Sequence, residues 1–197
     1  TSIVATGAQF EQSIVNASAK FPEGIKRGTD AFQALENAAR KTGSTTEFTA
    51  SQSAEALNFL AMAGFSAENS IAALPGVVDL ATASALDLGT ATDIASDSLG
   101  AFNLMTKDSQ QLGRNLQRVN DVIAKTATSA NTSVTDLFEA IKDGGPVATT
   151  AGASLETFAA LAGTLANAGI KGSRAGTTLK NTFLSIAAPS SSAAKIL

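Results

Sequence analysis

"AGIKGSRAGTTLKNTFLSI", residues 168–186, holds three glycines, three basic residues and a Thr-Thr pair, and it leads into an apolar stripe. Three readings compete for it. A phosphate-binding P-loop needs a lysine and a Ser/Thr directly after its second glycine and a strand before its first. Here Gly176 is followed by Thr177, no lysine stands in place, and the preceding residues read as helix. The spacing Gly172-x-x-x-Gly176 also suits helices that touch inside a membrane. Lys171, Arg174 and Lys180 surround it and make a bilayer setting unsuitable. The remaining reading is a tight corner between two helices. Gly169 ends one helix, Ile170 plugs the corner, Gly172 permits the turn, and Ser173 is the expected N-cap. Gly176 and Ala175 then let the next helix lie close on a neighbour, leaving Leu179, Phe183 and Ile186 to bury.

The rest of the chain repeats this style. Leu112, Leu116, Val119 and Ile123 fall at i, i+4, i+7 and i+11, one helix face and an expected core stripe. Leu155, Phe158, Leu161, Ala162 and Leu165 form another face. Thr49 with Gln52, Thr90 with Asp93, Asp108 with Gln111, and Ser133 with Asp136 read as helix starts, as does Ser154 before Glu156. Gly43, Gly64 and the pair Gly144-Gly145 read as stops, and Pro75 and Pro146 as breaks or beginnings. The expected helices lie near 2–20, 29–42, 50–63, 67–74, 76–86, 91–105, 109–128, 134–143, 146–151, 155–168 and 173–187. No alternating strand pattern appears. The fold class is all-α: short Ala/Gly-rich helices in packed hairpins.

Residues 41–64, KTGSTTEFTASQSAEALNFLAMAG, echo residues 125–145, KTATSANTSVTDLFEAIKDGG, and an Ala-Ala-Leu helix follows each. A duplicated helix-pair unit would leave such an echo. Alanine-rich helices also resemble one another by composition alone.

Composition removes most chemistry. The 197 residues contain no Cys, His, Trp or Tyr, and about one in five is Ala. Disulfides, thiolate metal sites, cysteine nucleophiles and histidine-based triads are excluded. The ten Phe favour packing over base stacking. Asp93 and Asp97 share a helix face but have no third ligand or basic partner in sequence. Arg114 and Arg118, with Lys107 and Lys125, could touch phosphate, yet Asp108 and Asp121 point to a salt-bridged surface. No catalytic, cofactor or metal site is expected.

The net charge of −3 is unevenly spread. From Gly43 to Thr106 there is no Lys or Arg but seven acids; after Glu156 there are four bases and no acid. Two solvated faces, or complementarity between copies or with a partner, would each account for this. The basic-free stretch argues against tight nucleic acid binding. The opening residues lack a signal peptide's charged and apolar regions and read as mid-protein, a piece of a longer chain. The longest mostly apolar uncharged run, Thr157–Ile170, is shorter than the ~18 residues of a membrane span, so the fragment is expected to be soluble. In a single helix the chain would reach ~300 Å at ~1.5 Å per residue. The frequent Gly and Pro stops predict a folded domain instead.

These residues also carry a resemblance. ANAGIKGSRAGTTLKNTFLSIAAP, residues 166–189, is similar to the closing motif of the tape measure core region of tailed phages and prophages. LENAARKTGSTTEFTASQSAEALNFLAMAGFSAE, residues 35–68, resembles its opening motif. Between them LPGVVDLATASALDL, DSLGAFNLMTKD and VTDLFEAIKDGGPVATTAGASLETFAALAGTLAN keep the family's order. The resemblance spans roughly residues 30–189. It implies a structural, non-enzymatic protein of the virion that sets tail length. Such a protein lies in the tail tube lumen in a few copies, a homo-oligomer. Its partners are the tail tube protein, tail tip or baseplate hub proteins and tail assembly chaperones, and it leaves ahead of the genome at ejection. The alternative is a module that meets the host membrane only after release. The expected layout is a helical linker over 1–28, the core helical domain over 29–189, and the start of a flexible or helical continuation over 190–197.

Overall fold

Hydroxyl caps mark where the helices begin. In the computed structural model, which describes residues 2–187 and the side chains from residue 7 onward, Thr49 and Gln52 close a capping box. The Gln52 amide donates to the Thr49 hydroxyl at 3.2 Å, and the Thr49 amide donates to Gln52 Oε1 at 2.8 Å. Thr29, Ser66, Ser133 and Ser154 accept the equivalent bond from Phe32, Asn69, Asp136 and Thr157. Each cap satisfies an amide that the first helical turn leaves without a partner and contributes ~1 kcal/mol.

Among the described residues there are nine α-helices and no strand. They are α1 (Ser2–Ser18), α2 (Asp30–Thr45), α3 (Ala50–Met62), α4 (Ala67–Ser84), α5 (Leu88–Ala101), α6 (Ser109–Ser129), α7 (Val134–Thr150), α8 (Leu155–Asn167) and α9 (Gly172–Ala187). The chain is all-α, as its periodicity predicts.

Three corners share one construction. Ala63-Gly64-Phe65, Ala151-Gly152-Ala153 and Ala168-Gly169-Ile170 each place glycine in the left-handed region, at φ of 87°, 85° and 86°. The residue after glycine then donates back to a carbonyl in the last helical turn: Phe65 to Leu60, Ala153 to Ala148 and Ile170 to Leu165. That bond closes the helix end, and only glycine adopts such a φ without steric cost.

The helices form two units. The first contains the residues up to Ser96 together with Thr106–Leu116. In it α1 and α2 pack on α3, and α4 packs on both α2 and α3. Its core includes Ile14, Leu35, Leu57, Leu60, Phe65, Leu74 and Leu80, each at most 2% exposed. Phe10, Ile14 and Ala17 bring α1 into that core. Asn69 of α4 donates to the Thr106 carbonyl at 2.9 Å. The second unit contains Asp97–Met105 and the residues from Gln117 onward. There α7 packs on α9 and α8, and α8 packs on α9. Leu112 and Leu116 belong to the first unit, Val119 and Ile123 to the second, and all four are buried.

Several expected boundaries are corrected. Gly43 lies inside α2, which runs on to Thr45. It is glycine because the start of α3 passes over it: a Cβ there would stand 2.7 Å from Ala50 Cα. Gly144 and Gly145 lie inside α7, and Pro75 and Pro146 inside α4 and α7. Both prolines face solvent, so their neighbours remain free to pack inward. Tertiary contact overrides a local preference for breaking. Thr90 is not a cap; α5 begins at Leu88, and Asp87 takes that role. The Thr90 amide donates to Asp87 Oδ1 at 2.9 Å and its hydroxyl to Oδ2 at 2.7 Å. These bonds, the amide's first, hold the Asp87 carboxyl below its ordinary pKa. Of the two echoing segments, the first ends at the left-handed corner Gly64, while the second ends inside α7 at Gly145 and the corner follows only at Gly152. Residues 190–197, expected to begin a continuation, lie outside the described residues.

Candidate functional site: the α7–α9 crossing

The opening stretch forms a backbone-to-backbone contact. A Cβ built on Gly176 of α9 would stand 2.6 Å from the Ala140 carbonyl oxygen of α7 and 2.8 Å from Asp143 Cβ. A Cβ on Gly144 of α7 would stand 2.7 Å from the Gly176 carbonyl oxygen and 2.9 Å from the Phe158 ring. No side chain fits at either glycine. Ala175 and Leu179 of α9 are buried, as are Ala140 and Ile141 of α7. Phe158 of α8 lies beneath, edge-on to Phe102 with ring centroids 5.8 Å apart. Gly145 faces the other way, where a Cβ would meet Ala101 Cβ at 3.1 Å. Thr149 donates its hydroxyl to the Ala101 carbonyl at 2.8 Å.

The corner leading into this crossing differs in one respect from its sequence reading. Gly172, at φ 57°, is the first residue of α9. Ser173 therefore sits in the first turn and is not the N-cap; its hydroxyl reaches Glu139 Oε2 on α7 at 3.4 Å. Lys171 reaches Asn131 Oδ1 at 2.9 Å, and the Asn131 amide donates to Asn167 Oδ1 at 2.7 Å. These bonds tie the α6–α7 connection to the α8–α9 corner. Their partners lie 36 and 40 residues apart, beyond the range of any local pattern. The far end of α9 corrects a second expectation. Leu179 is buried and Phe183 half-buried, but Ile186 is 68% exposed and Leu184 47%.

An ion pair between α6 and α8 braces the second unit. Arg118 of α6 donates to both oxygens of Glu156, in the first turn of α8, at 2.5 and 2.7 Å. The hydrogen bond from Arg118 holds the Glu156 carboxyl down at about 2 from an ordinary 4.5. Arg114 is bonded to Gln111 instead, and Asp108 caps α6 by accepting from the Gln111 amide. Asp93 and Asp97 are both exposed, and no three His, Cys, Asp or Glu groups converge among the described residues. An apolar groove of about 500 Å³ runs between α2 and α4, lined by Ala38, Ile71, Leu74, Pro75 and Val78 among others. No single helix among the described residues is long and apolar enough to cross a membrane; α4 and α5 meet that test only jointly, and they are bent by 116°.

The model of one protein family, phage-related minor tail protein, matches residues 36–197, which take in all of α7, α8 and α9. The chain belongs to the phage-related minor tail protein family.

Within this minor tail family the chain is similar to a tape measure protein of Pneumococcus phage Dp-1, 40% identical over 78% of the chain and 13% of that relative. It is also similar to a probable tape measure protein of Escherichia phage P2, 27% identical over 95% of the chain and 22% of that relative. The chain thus spans between about an eighth and a fifth of the length of these curated relatives. No solved structure matches.

Proposed function

We propose that this chain is a folded helical section of a phage tail tape measure protein, a structural component that works by packing and partner contact and not by catalysis. The single observation that carries this reading is the likeness to the tape measure protein of phage Dp-1 across most of the chain. The chemistry of the chain agrees with it. At Gly144 and Gly176 the helices of the second unit meet with no room for a side chain, and the side chains that such a role leaves out, His and Cys, are missing from the sequence.

In this reading the parent protein occupies the tail tube lumen within the virion. Tail tube subunits polymerise around it with the help of tail assembly chaperones, and a few copies meet the tip or baseplate hub proteins. It departs before the genome does. The stretch from Gly43 to Thr106, acidic and without a single Lys or Arg, suits a protein that DNA must pass without binding tightly.

Tail length tests the proposal. In-frame deletions in a helical part of the parent gene should shorten tails in electron micrographs by ~1.5 Å per residue removed. Tails of unchanged length would overturn it.

A further inference from the structure

The strongest conflict between local sequence and fold lies in α7. Gly144, Gly145 and Pro146 stand consecutively inside that helix, with ten helical residues before them and four after. Glycine and proline are the two poorest residues for a helix interior, and proline cannot donate to the carbonyl of Lys142, four residues back. Yet α7 is continuous, and both glycines are closely covered. Gly144 is roofed by the Gly176 carbonyl and flanked by Phe158, and Gly145 by Ala101 and Phe102. Pro146 itself is exposed.

We infer that α7 is a conditional helix with a built-in breaking point at Gly144–Pro146, held continuous by α9. The second unit then opens in two linked steps. α9 lifts off at the Gly144–Gly176 contact, and α7 breaks behind it, releasing Val147–Thr150. The covering groups supply what the local sequence lacks: α9 seats only on a straight α7, and the hold that Ala101 keeps on Gly145 and Thr149 does not suffice without α9. This goes beyond the tail-length reading and does not depend on it.

Hydrogen exchange of the full chain, followed amide by amide, tests the inference. Gly176→Val forces a side chain against the Ala140 carbonyl and displaces α9. The amides of Val147–Thr150 should then exchange within about tenfold of unstructured rates, together with those of α9, while Leu137–Ile141 and α8 stay protected. Adding Pro146→Ala to that variant should slow exchange at Val147–Thr150 at least ~10-fold without restoring α9. Pro146→Ala alone, at an exposed position, should raise protection there more than in α8. Val147–Thr150 remaining protected in Gly176→Val, or no response to Pro146→Ala in either background, would overturn the inference. So would loss of protection throughout α6 and α8 in Gly176→Val, since the break would then not be confined to α7.

Discussion

Gly144 and Gly176 meet across α7 and α9 so closely that a single methyl group on Gly144 would lie 2.7 Å from the Gly176 carbonyl oxygen. The reciprocal methyl on Gly176 would lie 2.6 Å from the Ala140 carbonyl oxygen. Backbone is the least yielding neighbour a new side chain can meet. Gly176→Ala is therefore expected to destabilise the second unit by ~1–3 kcal/mol, the usual cost of overpacking. Gly144→Ala should cost a similar amount, despite alanine's higher helix propensity. Thermal denaturation of each variant checks this, and a raised melting temperature for either would show that the helices can part without loss.

Pro75 tests the opposite effect. It lies inside α4, faces solvent and has no hydrogen to offer the carbonyl of Ile71. Pro75→Ala should stabilise the first unit by ~1–2 kcal/mol, the helical gain being partly offset by a freer unfolded chain. Urea denaturation would register this as a higher midpoint with an unchanged slope.

The caps can be ranked by substitution. Thr49→Ala removes the hydroxyl of a complete capping box and should cost ~1 kcal/mol. Asp87→Ala should cost a similar amount at neutral pH, because it removes both oxygens that hold Thr90. Thr90→Val should cost less, since it leaves the amide bond to Asp87 in place. Equal losses at Asp87 and Thr90 would indicate that the two act as one unit.

The Arg118–Glu156 pair sets an acid response. Its carboxyl is depressed in the folded protein, so its contribution is fully present above the ordinary pKa of 4.5 and fades as pH falls toward about 2. Both side chains are nearly half exposed, so solvent screening limits the pair to ~1 kcal/mol or less. Glu156→Gln should lower stability slightly at neutral pH, and its gap to the parent should close between pH 4.5 and about 2. Chemical denaturation across that range checks the sign: a gap that widened in acid would contradict it.

Much of the fold could be read from local chemistry. The Thr49–Gln52 box, the Ser133 and Ser154 caps and the buried face Leu112, Leu116, Val119 and Ile123 depend on residues within three turns of one another. The small residues Ala175 and Gly176 pointed to a close crossing for the same reason. What stayed hidden was set by distant neighbours. Gly144 reads as a helix stop because nothing near it in sequence reveals that Gly176 will cover it. Gly43 misleads likewise, since the segment crossing it belongs to the next helix. Ile186 fits an apolar stripe by spacing, yet no element among the described residues buries it. Arg118 has Asp121 nearby in sequence but takes Glu156, 38 residues away.

Tail assembly by the parent phage measures the central claim, that a packed helical surface and not a reactive group is the working part. Gly176→Val, which pries apart α7 and α9, should abolish tails or give tails of irregular length in electron micrographs. Asp93→Asn, which neutralises an exposed carboxylate of α5 while leaving the packing alone, should give tails of normal length. Normal tails from the first variant, or defective tails from the second, would contradict the account.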